Sequence, residues 1–355
     1  MQSRLEQLRL ALPEGVDALL TLRPDNRTYI SGFTGSNAYV VVGREVAMLL
    51  TDFRYVEQAT LECPNFVVSD YAPELTDSLN EALRAANIKA LAFESDFVTV
   101  SQYEMLKTKL TVELVPTTGL VEKLRQTKDE GEILAMQKAA YIAEAALAEV
   151  LPLIKVGVSE KYIAMNLEFT LKRLGSERLP FDIIAASGPR SSLPHGRASE
   201  RIITAGDFLT LDFGAVYNGY CCDMTRTFVV GADPTPEQIE VYGTVLEAQE
   251  AALAALLPGM LGRELDQVAR AIITARGYGE RFGHGLGHGV GRAVHEGPSG
   301  GSKSEDKYLP GMVITIEPGI YLPEWGGVRI EDMVLITEDG YQNFNSYAKQ
   351  LTRIG

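Results

Sequence analysis

The chain has only four histidines. His195 stands in Leu193-Pro194-His195-Gly196, and His284, His288 and His295 share the segment 284–295. Imidazole titrates nearest pH 7 and is the commonest metal-binding side chain. Incidental histidines would scatter along 355 residues, and these do not. Glycines at 283, 285, 287, 289 and 291 alternate through the segment and disfavour helix. Extended, the segment puts His284 and His288 on one face, and its glycines mark close approach of another backbone or a ligand. A phosphate-binding loop is the rival reading, but Arg292 and the lack of a Lys-Ser/Thr pair make it a poor match.

Carboxylates complete the chemistry. The stretch 209–230 reads as two strands around Asn218-Gly219, a turn whose two residues both need positive φ. Paired residues then have numbers summing to 437, as 218 and 219 do, so Asp212 faces Thr225 and Asp223 faces Gly214. Asp212 and Asp223 become diagonal neighbours on one face, roughly 7–8 Å apart at the backbone, and Gly214 leaves room beside Asp223. Two solvent-facing acids on an edge hairpin would give the same pattern. The apolar flanks argue instead for burial, where two like charges need a compensating cation. A second acidic pair follows. Glu317 ends an apolar strand, stopped by Pro318-Gly319, and Glu331 shares one face of the strand 327–337 with Arg329. Alone, that pair would pass for a strand-end Glu and a surface ion pair.

The elements that must position these residues fall into two groups. Apolar runs at 18–22, 38–42, 46–51, 66–69 and 90–93 have strand length, punctuated by Gly32, Gly35, Gly43, Pro64 and Pro73. Helical periodicity marks 75–86 and 100–110. After a charged stretch, a long helix capped by Thr127 or Asp129 runs to about Leu151. Further helices are expected over 160–174, 236–257 and 263–276, and two helix pairs, each followed by a carboxylate hairpin, hint at internal duplication. We expect domains at 1–120 and 121–355. The net charge of −14 argues against nucleic acid and an anionic membrane surface. Three cysteines make no disulfide framework, and no apolar signal core opens the sequence, so the expected location is cytoplasmic.

Taken in order, Asp212, Asp223, His288, Glu317 and Glu331 resemble the ligand set of the pita-bread metallopeptidases, the group of methionine aminopeptidase, aminopeptidase P and prolidase. The resemblance rests on Asp212-Phe213-Gly214, Asp223-Met224-Thr225-Arg226-Thr227-Phe228, the glycine-histidine segment through His295-Glu296, Ile316-Glu317-Pro318-Gly319-Ile320-Tyr321 and Val328-Arg329-Ile330-Glu331-Asp332. It covers about residues 121–355. Tyr29-Ile30-Ser31-Gly32-Phe33-Thr34-Gly35-Ser36 and Leu50-Thr51-Asp52-Phe53-Arg54-Tyr55 resemble the creatinase/prolidase N-terminal domain more loosely. The implied fold is an α/β N-terminal domain followed by an α+β pita-bread catalytic domain. The long N-terminal domain, Ser191-Ser192-Leu193-Pro194-His195-Gly196 ahead of the first Asp, and Arg329 two before Glu331 favour the Xaa-Pro branch.

That resemblance implies two divalent metal ions, Mn2+ first and Co2+ or Zn2+ otherwise. Asp223 and Glu331 would bridge them, Asp212 would complete one site, and His288 with Glu317 the other. The implied reaction is hydrolysis of the Xaa-Pro bond at the N-terminus of proline-containing peptides, with prolidase action on dipeptides as the alternative. Glu317 is expected to handle the proton of the attacking water. His195, His284 and His295 are expected to bind substrate or donate to the oxyanion, supported by Tyr321, Arg329 and Thr225. A homodimer is expected, with no nucleic-acid or membrane partner. Rival readings are a methionine aminopeptidase, creatinase-like chemistry and a peptidase-like binding module; the last two lack intact ligands, whereas all five stand here.

Overall fold

A computed structural model describes residues 3–71 and 74–355. Pro73, read above as punctuation, lies outside the described residues. The chain divides into two compact units, Met1–Arg125 and Gln126–Gly355.

The first unit contains α1 (Arg4–Ala11), β1 (Ala18–Thr21), α2 (Pro24–Ser31), β2 (Tyr39–Gly43), β3 (Ala47–Thr51), α3 (Val56–Glu62), β4 (Val67–Asp70), α4 (Leu75–Ala85), β5 (Ala90–Glu94), α5 (Val100–Lys109), β6 (Glu113–Thr117) and α6 (Leu120–Gln126). Its strands form one sheet in the order β4-β3-β2-β1-β5-β6. Leu19, Val40, Val42 and Leu49 pack with Leu8, Tyr29 and Phe33, while Leu20, Val41 and Leu50 pack with Leu79, Leu83 and Leu106. Successive strand residues therefore serve opposite cores. This is why these strands read as continuous apolar runs rather than alternating ones. Val121 of α6 joins the first of these cores, with Leu120 and Leu124 packed against it. The division thus falls in the last turn of this helix, a little beyond the boundary expected near residue 120.

The second unit opens with α7 (Glu130–Val150), where Asp129 and Glu132 form a reciprocal cap. α8 (Glu160–Arg173), β7 (Ile184–Ser187), β8 (Phe208–Phe213), β9 (Val216–Tyr217), β10 (Tyr220–Cys221) and β11 (Met224–Val230) follow. Then come α9 (Pro236–Ala255), α10 (Gly262–Ala275), β12 (Gly287–Gly289), β13 (Glu296–Gly300), β14 (Val313–Ile316), β15 (Gly319–Leu322), β16 (Gly326–Arg329), β17 (Asp332–Ile336), β18 (Tyr341–Asn343) and β19 (Arg353–Ile354). One sheet runs β19-β11-β8-β7 and another β13-β12-β14-β17-β18. Ala139, Ala143 and Leu147 of α7 and Leu167 of α8 pack on Leu209, Leu211 and Met224 of the first sheet. Val245 and Ala248 of α9 and Leu265 of α10 pack on Ile314, Ile316 and Val334 of the second. Each core also reaches the other sheet, through Val313, Met333 and Leu335 in the first and Phe208 and Val229 in the second.

Arg226 and Asp332 tie the two sheets together. Both are fully buried and pair at 2.7 Å. Arg226 also donates to the carbonyls of Thr225 and Glu331, and Asp332 accepts from Gln249, Asn343 and Lys349. Burial opposes charge on Asp332, but Arg226 and Lys349 hold its carboxyl below the ordinary value. Among the described residues no helix is long and apolar enough to cross a membrane.

Candidate metal centre

The first two acids come from the predicted hairpin. Asn218 and Gly219 have φ of 49° and 75°, and the register pairs Thr225 with Asp212 and Tyr220 with Tyr217. The ladder breaks between β8 and β9 and between β10 and β11, so Asp223 sits at a break rather than in a pair with Gly214. A Cβ at Gly214 would overlap the Cys222 carbonyl and crowd Pro180. The room that glycine leaves is taken by the neighbouring backbone, which lets Asp223 turn inward.

The other three come from the second sheet. At Gly287 a Cβ would overlap the Thr315 carbonyl, so glycine is what lets β12 lie against β14. That approach presents His288. Glu317 follows β14 immediately, its N–H donating to Leu286 O. Glu331 lies between β16 and β17, which the sequence reads as one strand. The break arises because Glu331 bridges to Thr225 and its carbonyl accepts from Arg226.

The result is a tight cluster. Ligand atoms of Asp223, His288 and Glu331 lie within 4.8 Å of one another. His288 Nε2 is 3.3 Å from Glu317 Oε1 and 3.7 Å from Asp223 Oδ2. Asp212 stands beside the cluster with Oδ2 held at 2.6 Å by Arg329 Nη2. His288 Nδ1 meets Gly289 O at 3.1 Å, so Nδ1 carries the proton and the Nε2 lone pair faces the carboxylates. Thr315, which sequence reasoning missed, accepts from His288 N–H and donates to Glu317 Oε1. Its place two residues before Glu317 on one strand face was the available signal. Thr225 Oγ1 donates to Glu331 Oε2 at 2.6 Å and accepts from Arg329 Nε.

These groups fit divalent cations. Asp212 Oδ1 and Asp223 Oδ1 are buried with no hydrogen-bond partner. Burial, reinforced by neighbouring carboxylates, raises Asp223 and Glu331 well above ordinary carboxyl values. Burial likewise pushes Glu317 up to about 8, against the pull of Arg329. Burial lowers His288 to about 4, keeping its imidazole neutral. Buried acids, a neutral imidazole and unpartnered oxygens are the donor set that a cation would satisfy.

Around the cluster lies a cavity of about 970 Å3 in which all four histidines take part. The His295 ring lies against that of His288, tilted by 59° with centroids 4.2 Å apart, and burial lowers its pKa. His284 Nδ1 meets Gly285 O at 2.8 Å and Nε2 meets the Tyr321 hydroxyl at 2.9 Å. Arg329 donates to that hydroxyl oxygen, so the Tyr321 proton points to His284 Nε2. Burial holds His284 near 4 and Tyr321 near 12, which keeps both neutral. The cavity walls include Phe181, Ile184, Pro194, Tyr321 and Pro323, with Asp182, Arg197, Glu280 and Arg281 among the polar lining. Phe181 and Asp182 come from a loop and Arg281 from a single 3-10 turn, with no motif to mark them.

Residues 135–338 match metallopeptidase family M24, and residues 4–127 match the creatinase/prolidase N-terminal domain. The chain belongs to metallopeptidase family M24. A Xaa-Pro dipeptidase from Pyrococcus furiosus is 41% identical over 355 residues, spanning 99% of this chain and all of the relative. The solved structure of a Xaa-Pro dipeptidase from Bacillus anthracis superimposes with a TM-score of 0.97 at 43% identity, covering 99% of both chains. An X-Pro aminopeptidase structure from Thermotoga maritima gives 0.91 at 38% identity, covering 96% of this chain and 98% of that one. The two-domain fold expected from sequence is thus the fold of this family: a creatinase-type N-terminal domain and an M24 catalytic domain.

Proposed function

We propose that this M24 member is a dinuclear metallo-exopeptidase that hydrolyses the Xaa-Pro bond of dipeptides. The convergence of Asp223, His288 and Glu331, flanked by Glu317 and Asp212, is the observation that carries the chemistry. The dipeptide substrate is supported by the P. furiosus and B. anthracis relatives, which favour the dipeptidase over the aminopeptidase that the sequence alone puts first. The T. maritima neighbour supports the second reading, release of the first residue from longer Xaa-Pro peptides.

Asp212, Asp223, His288, Glu317 and Glu331 would hold two divalent ions. Carboxylates with a single imidazole suit Mn2+, with Co2+ and Zn2+ as alternatives. Bound there, the ions would acidify a water and polarise the scissile carbonyl. Glu317 manages the proton. Its Oε1 is engaged by Thr315 and faces His288, so Oε2 takes the proton of the attacking water. The same proton then goes to the proline nitrogen as the C–N bond breaks. That nitrogen belongs to a tertiary amide and carries no hydrogen, so it leaves as a secondary amine only once protonated.

His195 and His295 line the cavity and donate from ring N–H to the tetrahedral oxygen. His284 differs from the sequence expectation: with both nitrogens engaged inside the protein, it orients Tyr321 instead. Arg329 fixes Tyr321 and Asp212 together, and Thr225 fixes Glu331. A homodimer and residence in the cytoplasm belong to the same reading, the latter supported by three free cysteines. Comparing Ala-Pro, Ala-Pro-Ala and Ala-Ala as substrates tests it. Fast release of proline from Ala-Pro alone is expected. Preference for Ala-Pro-Ala would move the reading to the aminopeptidase, and preference for Ala-Ala would remove the proline specificity.

A further inference from the structure

The loop 188–198 brings Ser192, Pro194, His195 and Arg197 to the cavity wall. Among the described residues, the His195 imidazole has no hydrogen-bond partner, and the side chain is exposed. Its position therefore depends on the backbone that carries it. What holds that backbone is a group outside the cavity, the carboxylate of Glu160 in the first turn of α8.

Glu160 is fully buried. Its Oε1 accepts from Ser187 N–H at 2.7 Å and Ser187 Oγ at 2.8 Å, where β7 ends and the loop begins. Its Oε2 accepts from Ser199 N–H at 3.0 Å and Ser199 Oγ at 2.7 Å, where the loop returns. Arg190 Nη1, from within the loop, donates to the same oxygen, while its Nη2 donates to Arg197 O at 2.8 Å. One carboxylate thus closes both ends of the loop and reaches, through Arg190, the limb next to His195. The far side is pinned separately: Gly327 N–H donates to Ser191 Oγ, and Arg329 Nη1 donates to Pro194 O. Two carboxylate oxygens offer about four lone-pair sites, so these donors saturate Glu160. A glutamine in its place would turn an N–H group toward one set of them.

We infer that Glu160 is a positioning residue for the reaction, acting through His195 by fixing the loop 188–198. The inference rests on the role of His195 proposed above. A displacement of about 1 Å at a catalytic group can lower turnover on the order of 100-fold. Glu160→Gln should accordingly lower kcat on Ala-Pro roughly 10- to 100-fold, with KM and bound metal near wild type. A merely structural defect would act equally in any background. The decisive comparison is Glu160→Gln introduced into His195→Ala, where it should lower kcat less than twofold further.

A second measurement is independent of turnover. With four histidines, the ring resonances are resolvable by NMR, and Glu160→Gln should move that of His195 while leaving those of His284 and His288 in place. An undiminished loss in the His195→Ala background, or an unmoved His195 resonance in a folded variant, would overturn the inference. Should Glu160→Gln fail to fold, Ser199→Ala, which removes one of the donors, carries the same two comparisons. If the wild type cleaves no Xaa-Pro bond, the proposed function fails, and the resonance alone decides whether Glu160 holds the loop.

Discussion

Glu317 gives the sharpest physical prediction, because its environment without metal is hostile to its own charge. Burial holds its carboxyl at about 8, where an ordinary glutamate titrates near 4.5. Between those values the unfolded chain has lost a proton that the folded, metal-free chain retains. Folding is therefore fully supported below pH 4.5 and loses ground as pH rises towards 8. Integrated from pH 5.5 to 8, this one group removes about 3 kcal/mol of stability from the metal-free protein. Glu317→Gln keeps the shape and deletes the titration. Urea unfolding of chelated wild type and chelated Glu317→Gln at pH 5.5 and 8 measures the difference directly. The variant should lose about 3 kcal/mol less over that interval. Equal pH dependence in the two proteins, or a wild type that gains stability relative to the variant as pH rises, would refute the reasoning. With metal present the dependence should reverse, because binding needs the carboxylates ionised and releases their protons.

Other consequences follow from neighbouring parts of the site. Asp332→Ala strands the buried Arg226 guanidinium and should cost about 3–5 kcal/mol in urea unfolding. Gly287→Ala should displace β12 from β14 and lose both bound metal and turnover, since its Cβ would overlap the Thr315 carbonyl. Gly243, exposed in α9 with nothing near its missing Cβ, should by contrast gain about 0.5–1 kcal/mol as Gly243→Ala. His288→Ala should abolish metal retention measured by elemental analysis. His195→Ala should keep the metal and lose roughly 100- to 1000-fold in kcat.

Much of the catalytic unit was legible because its residues obey strong local rules. Asn218-Gly219 imposes positive φ, which fixes the register that pairs Asp212 with Thr225. Asp129, Ser159 and Thr235 cap helices where a polar residue precedes an apolar period. Legibility ended where distant segments decide. The stretch 327–337 reads as one strand, yet Arg226 and Thr225 capture Glu331 and split it. His284 looked like a donor, but Tyr321, 37 positions later, occupies its Nε2. In the first unit α2 was missed although Pro24 opens it and Gly32 ends it, because its polar sequence has no clear apolar face. Glu160 looked like any helix-start acid. Its significance lies in Ser187 and Ser199, which only the tertiary structure brings to it.

Two metal ions held by Asp212, Asp223, His288, Glu317 and Glu331 should be required for cleavage. Titrating chelated protein with Mn2+ while following both bound metal and proline release from Ala-Pro tests it most directly. The stripped protein should release no proline, and recovery should saturate at two ions per chain. Full turnover in the stripped protein, or recovery indifferent to the loss of His288, would contradict it.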